Sequence, residues 1–165
     1  MDIRKANTSD APIIADIIIT SWRTSYCSMI PQKYLDNLSV EQKTISIQNK
    51  MLVPNWQDFF LISIAQQEIG TVKLRYDQTK GNAVGEIAGF YFLPNHTRQG
   101  YGTKTIQYLE QHLVRNGISC SFLWILSENI PSINFVEKNG YTYIGETKTI
   151  EIVKSQTLKK YSKAL

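Results

Sequence analysis

Only two cysteines, Cys27 and Cys120, and two histidines, His96 and His112, occur in the 165 residues. The cysteines lie far apart, with no Cys-x-x-Cys and no histidine-rich spacing beside them. That pattern argues against a disulfide framework and against a zinc site, so no metal is expected and two free thiols in a reducing compartment are. No run approaches the ~20 apolar residues of a membrane span, and Met1-Asp2-Ile3-Arg4-Lys5 lacks the apolar core of a signal peptide. The chain is therefore expected in the cytoplasm, with no membrane partner. Charge of one sign is also scarce: a net +4 is compatible with a small polyanionic ligand or with nucleic acid, and the excess is too small to choose between them. With no aromatic-basic RNA motif or recognition-helix pattern, nucleic acid is an unfavoured partner. Lys154, Lys159, Lys160 and Lys163 form the one basic concentration, which reads as a solvated edge strand or tail. Linkers, repeats and low-complexity tracts are lacking too, so residues 1–165 are expected to be a single domain. A hydrophobic content of 42% is enough for its core.

What is present is a regular succession of short elements. Residues 3–6 read as a strand. Thr8, Ser9 and Asp10 offer caps, and Pro12 suits a first helical turn. Ile14, Ile17, Ile18, Ser21 and Trp22 then share one face of a helix running to about Tyr26. Pro31 breaks the chain before another turn. Ser39 and Gln42 form a capping box opening a helix with Val40, Ile47 and Met51 on its apolar side, and Pro54 ends it. Residues 58–65 read as a buried strand, with Gln66-Gln67-Glu68 as a hairpin connection. In the strand that follows, Val72, Leu74 and Tyr76 alternate with Thr71, Lys73 and Arg75, which predicts one face in solvent. A turn is expected over 77–82, a buried strand over 119–126, a helix from Pro131 to Gly140, and two terminal strands over 141–153 and 157–165.

The stretch from Val84 to Thr105 organises the rest. Both alternating faces of 84–93 are mainly apolar, as in a central strand covered on both sides. Pro94 stops that strand, and Gly100 and Gly102 open a helix with Ile106, Leu109 and Leu113 on one face. Glycines at a helix mouth let backbone approach a ligand, and the free N–H groups of a first turn form an anion site suited to a pyrophosphate. Arg98 adds a positive charge. Gly-x-Gly alone is equally a tight turn that binds nothing. Thr105 stands where a dinucleotide fingerprint needs glycine or alanine, and Thr103 and Arg98 stand where a Walker loop needs its glycines, so neither motif is present.

The run Leu93-Pro94 … Arg98-Gln99-Gly100-Tyr101-Gly102-Thr103 resembles the acyl-CoA-binding motif of the GNAT superfamily of N-acetyltransferases, Arg/Gln-x-x-Gly-x-Gly/Ala, with Thr97 in place of the leading residue. A second block, Asn129-x-x-Ser132-x-x-Phe135-Val136-Glu137-Lys138-Asn139-Gly140-Tyr141, is similar to that family's Asn-x-x-Ala-x-x-Phe-Tyr-Glu-Lys-x-Gly-Phe. Trp22-Arg23-Thr24-Ser25-Tyr26 followed by Met29-Ile30-Pro31 and Tyr34-Leu35 resembles a stretch of many bacterial members. The resemblance implies an α/β (α+β) fold, a mixed, mostly antiparallel central sheet with helices on both faces. It also implies acetyl-CoA as co-substrate, bound by backbone of Phe90, Phe92 and Leu93, by the run Arg98, Gln99, Gly100, Tyr101, Gly102 and Thr103, and by Asn129, Phe135 and Lys138. Family dimers are common, so a homodimer is an expectation.

Attack of an amine on a thioester needs a base for the amine, a donor for the carbonyl oxygen and a route out for the thiolate. Glu86, an acid in an otherwise apolar strand, is the base candidate, because burial would raise its pKa to a useful value. It also stands where histone-acetylating members of the family keep their catalytic glutamate. The alternative is a glutamate at a solvated strand end. Val136 replaces the tyrosine that serves many members as general acid; Tyr141, Ser132 or water is the expected substitute. The acceptor, an amine on a small molecule, peptide or protein, is expected near Trp22 and Tyr26, where aromatic walls would favour an ammonium; Trp22 as plain core is the competing reading. Direct transfer in a ternary complex leads, with a CoA-binding regulatory module or a basic nucleic-acid-binding domain as alternatives.

Overall fold

In the computed structural model, which describes residues 1–53, 57–77 and 84–165, the alternating and helical segments fold into seven strands and five helices. They are β1 (Asp2–Lys5), α1 (Ala11–Ser25), α2 (Gln32–Asp36), α3 (Val40–Leu52), β2 (Gln57–Ile64), β3 (Gln67–Asp77), β4 (Val84–Phe92), α4 (Tyr101–Arg115), β5 (Cys120–Leu126), α5 (Ile130–Lys138), β6 (Thr142–Ile152) and β7 (Lys154–Ala164). The strands form one sheet in the order β1-β2-β3-β4-β5-β7-β6, antiparallel at every pairing except the parallel β4–β5. No helix among the described residues is long and apolar enough to cross a membrane. The stop expected at Pro54 and most of the turn expected over 77–82 lie outside the described residues.

Helices cover both faces of the sheet. On one, Ile106, Leu109 and Leu113 of α4 and Ile133 and Val136 of α5 pack on Val72, Leu74, Ile87, Leu123 and Ile125. On the other, Ile14, Ile17 and Ile18 of α1 and Ile47 of α3 cover Phe59 and Leu61. Met29, Ile30 and Leu35 close the far end of that face over Leu126 and Leu158.

Several local expectations shift. Asn7, rather than Thr8 or Ser9, caps the chain ahead of α1: its Oδ1 accepts the Ser9 N–H at 2.9 Å while Asp10 accepts the Asn7 N–H at 2.9 Å. The turn after Pro31 becomes α2, a five-residue helix braced by a Gln32–Asp36 hydrogen bond of 2.7 Å one turn apart. The β2–β3 connection is tighter than expected, with Ala65 and Gln66 both left-handed (φ 47° and 66°). The lysine-bearing terminal strand is not an edge: β7 lies between β5 and β6, and the mostly exposed β6 is the edge. Lys163 and Lys160 there are tied to Glu110 and Glu146 at 2.8 and 2.9 Å. Finally, the Thr71-Lys73-Arg75 face of β3 is not plainly solvated. Thr71 is 2% exposed and donates to the Phe60 carbonyl, and Lys73 is half-buried beneath α3.

The feature that positions the site is where β4 and β5 part. They pair only at Val84–Cys120, Gly85–Ser121 and Glu86–Phe122. Beyond Glu86 a bulge in the β3–β4 register, between Lys73 and Leu74, turns β4 away.

Candidate active site

Parting the strands leaves backbone groups without a ladder. Leu93 N–H donates to the Ile69 carbonyl at 2.8 Å, so by antiparallel alternation Tyr91 also faces β3 while the N–H and C=O groups of Phe90 and Phe92 point towards the absent β5. The Phe92 carbonyl is taken by the Ser21 hydroxyl at 2.7 Å. The expected set is thereby narrowed: Phe90, and the Phe92 N–H, remain for a ligand, whereas Leu93 spends its amide on β3.

The gap is a cleft of about 320 Å³. Glu86, Ala88 and Phe90 of β4 and Leu123 to Leu126 of β5 line it, together with Trp22 of α1, Tyr26 just past that helix, and Asn129, Phe135 and Val136 around α5. Sequence-predicted residues from three separate segments, Trp22 and Tyr26, Glu86 and Phe90, and Asn129 and Phe135, thus meet here. Asn129 also caps α5, accepting the Ser132 N–H at 3.1 Å. Phe135 lies against Phe90, ring centroids 5.7 Å apart.

At the open end of β4, the turn Pro94–His96 leads into α4. Arg98 and Gly100 are both left-handed (φ 62° and 82°), which lifts the chain over the helix mouth. No side chain caps α4 and no acid stands in its first turn, so the N–H groups of Tyr101, Gly102 and Thr103 are uncommitted donors at the positive end of the helix. Gln99 is occupied in bracing the turn, its Nε2 donating to the Asn95 carbonyl at 2.8 Å. A Cβ at Gly100 would meet nothing within 4 Å, whereas one at Gly102 would stand 3.1 Å from the Phe135 ring. The two glycines therefore serve different ends: the first makes the turn, the second lets α4 close on α5. Uncommitted amides here and in the cleft fit the pyrophosphate and the amide-bearing arm of a CoA thioester.

Glu86 is less enclosed than expected. Its side chain keeps 15% exposure and accepts a 3.0 Å hydrogen bond from Arg75. Trp22 and Tyr26 meet edge to face at 5.2 Å, and the buried Trp22 Nε1 faces the Tyr91 hydroxyl without forming a hydrogen bond. Burial pushes the Tyr26 phenol up.

Two expected residues are not brought to the cleft. Tyr141 is 1% exposed beneath β5, its hydroxyl 2.6 Å from that of Ser121, and burial pushes its phenol up. It is a core residue, which removes it as a substitute for the tyrosine missing at Val136. Lys138 is exposed at the far end of α5, about 13 Å along the helix from Asn129. Among the described residues no three metal-ligating side chains gather.

Sequence reasoning missed Arg75, Lys73, Ser21, Trp124 and Lys148. Arg75 and Lys73 stand opposite Glu86 and Gly89 across the β3–β4 ladder. Charged residues alternating along a strand look solvated until the register is known. The nearest available signal was Ser21, a hydroxyl on an otherwise apolar helix face.

A sequence model described as the acetyltransferase (GNAT) family matches residues 21–141. An uncharacterized N-acetyltransferase of Bacillus subtilis, YuaI, is 30% identical over 144 residues, 82% of this chain and 76% of that protein. A spermidine N(1)-acetyltransferase of Thermoplasma acidophilum is 22% identical over 145 residues, 86% of this chain and 88% of that one. Among solved structures, the PaiA N-acetyltransferase of Thermoplasma acidophilum in complex with coenzyme A matches with a TM-score of 0.79 over 99% of this chain and 98% of that one. Identity there is 17%, so that likeness concerns the fold.

Proposed function

The chain belongs to the acetyltransferase (GNAT) family and is an acetyl-CoA-dependent N-acetyltransferase; we propose that its acceptor amine enters the β4–β5 cleft from the α1 side and gives its proton to Glu86. The observation that carries this reading is that Glu86, Trp22 and Tyr26 share one cleft that opens directly beyond the last β4–β5 pair. When bound, acetyl-CoA supplies an activated acyl group whose C–S bond breaks as the C–N bond forms.

The protein's part is holding and proton handling. Tyr101, Gly102 and Thr103 would hold the pyrophosphate by their amides, with Arg98 adding charge at the same turn. Phe90 and Phe92 would orient the pantetheine arm by main-chain hydrogen bonds, placing the acyl group between the strands. Asn129 and Phe135 line the wall beside it. Trp22 and Tyr26 exclude water from the acceptor side. Glu86, steadied by Arg75, removes the proton as nitrogen attacks. Val136 has no proton to give, so the departing thiolate, a weak base, takes one from the Ser132 hydroxyl on the same wall or from solvent.

The test is Glu86→Gln, which keeps size and removes the base. Turnover should fall ~10²-fold or more, with the Kd for acetyl-CoA unchanged, and the defect should shrink at high pH where free amine is abundant. An unaltered pH–rate profile would return Glu86 to a structural role.

A further inference from the structure

Positive charge gathers in and beside the acceptor cleft. Arg75 of β3 and Lys148 of β6 line the cleft itself. A smaller hollow that adjoins it at Ala88, Gly89 and Tyr91 is lined by Lys73 of β3 and by Lys43 and Lys50 of α3. Arg75 is matched by Glu86, and the neighbouring Lys160 by Glu146. Among the described residues, no carboxylate lies within ion-pair distance of Lys43, Lys50, Lys73 or Lys148. Burial pushes Lys73 down to about 8, Arg75 and Lys50 push the same way, Glu86 opposes them, and Lys43 adds least. Burial likewise lowers Lys43 and Lys148. Like charges gathered in half-buried surroundings are unfavourable in the free protein, and a bound anion relieves them.

The aromatic walls point the same way. Lys43 lies over the Trp22 ring at 5.8 Å, and Lys148 over the Trp124 ring at 4.2 Å. Each indole thus already carries one of the protein's own cations, and the Trp124–Lys148 pair does so inside the cleft.

Resting on the placement of the acceptor in this cleft, we propose that the acceptor is an amine borne on an anion, with a carboxylate or phosphate near the reacting nitrogen, and not a polyamine. A polyamine would bring further cations to Lys43, Lys73 and Lys148, whereas an anionic carrier pairs with them while its amine reaches Glu86. Lys73 stands opposite Gly89, three residues along β4 from Glu86, about 10 Å of strand. That span suits an acidic residue close behind a peptide N-terminus, or a compact aminodicarboxylate.

The test uses the full chain saturated with CoA. Four probes are titrated calorimetrically: the peptide amides Ala-Glu-Glu-Ala and Ala-Gln-Gln-Ala, free glutamate, and spermidine. The acidic peptide or glutamate should bind at least tenfold more tightly than the glutamine peptide and spermidine, and the preference should fade as salt rises. Whichever of the two acidic probes binds better identifies a peptide or a small-molecule source. The double substitution Lys73→Gln with Lys148→Gln should abolish the preference while leaving the Kd for CoA unchanged. Spermidine or the glutamine peptide binding as tightly as the acidic probes, no binding by either acidic probe at millimolar concentration, or a preference that survives the double substitution would each overturn it. Acetyl transfer from acetyl-CoA is measured separately. Binding of acidic probes without acetylation would count against the proton-transfer reading and not against the charge preference.

Discussion

Tyr141 offers a sharp test of whether proximity in a sequence motif means proximity in the site. Its hydroxyl and that of Ser121 are both sealed from solvent, at 1% and 0% exposure, and lie 2.6 Å apart. Tyr141→Phe removes one partner and leaves the Ser121 hydroxyl buried without another. A net hydrogen bond is worth about 1 kcal/mol, and an orphaned buried hydroxyl costs about 1–3 kcal/mol, so a loss of about 2 kcal/mol is expected. For a domain of this size that corresponds to a fall in Tm of about 4–8 °C. Ser121→Ala should cost less, because Glu110 lies close enough to accept from the stranded phenol. The double substitution should then be milder than the sum of the singles, since neither partner is left alone. Differential scanning calorimetry measures all three, and kcat should stay within about twofold of wild type at a temperature where each remains folded. A tenfold loss of kcat in Tyr141→Phe with Tm unchanged would refute the reasoning and restore Tyr141 as the proton donor.

Other substitutions separate the remaining parts. Gly102→Val should weaken CoA binding at least tenfold, about 1.4 kcal/mol, because it displaces the Phe135 ring as well as narrowing the helix mouth; calorimetry reads it directly. Tyr26→Phe and Tyr26→Ala should change the KM or kcat for whichever amine is used while the Kd for acetyl-CoA stays constant; a change in Tm alone would move the acceptor pocket elsewhere. Lys73 has a folded pKa of about 8, below its ordinary 10.5, so the unfolded chain binds more protons between those values and stability rises with pH across that window. Lys73→Met should accordingly raise Tm at pH 7, and the gain should vanish towards pH 10.5; an equal gain at both ends would show that charge is not the cause.

Most of the fold was legible because periodicity reports burial, and burial is what the sheet and helices share. The apolar faces of α1 and α4 were recoverable on that ground, whereas β4, expected to be covered on both sides, is fully buried only at Gly85 and Ile87 because most of the rest of it lines the cleft. The turn between β4 and α4 was legible as a turn from Pro94 and the two glycines, whereas its reading as a CoA site came from the motif's resemblance to the family and not from the glycines alone. Strand order was not legible. The lysines of β7 look like those of an edge until Tyr161 and Leu158 are seen to pack between two neighbours. The same blindness hid the Arg75–Glu86 pair, whose partners belong to different strands and come together only through a register containing a bulge. Tyr141 erred the other way: a side chain's facing cannot be read from its place in a motif when it follows a helix end, here Gly140 at φ 88°.

The brevity of the β4–β5 pairing has a mechanical consequence. Three residue pairs join β1 to β4 with the block of β5, β7 and β6, so they act as a fulcrum between two otherwise separate antiparallel plates. What holds the plates at their angle is α4, whose Ile106, Leu109 and Leu113 press on Val72, Leu74 and Ile87 from one plate and on Leu123 and Ile125 from the other. Gly85 sits at the fulcrum itself, where an added Cβ would fall 2.6 Å from Leu113. The width of the slot is thus set like the opening of a pair of tongs, from the far side of the pivot, by the bulk of α4 side chains that do not line it.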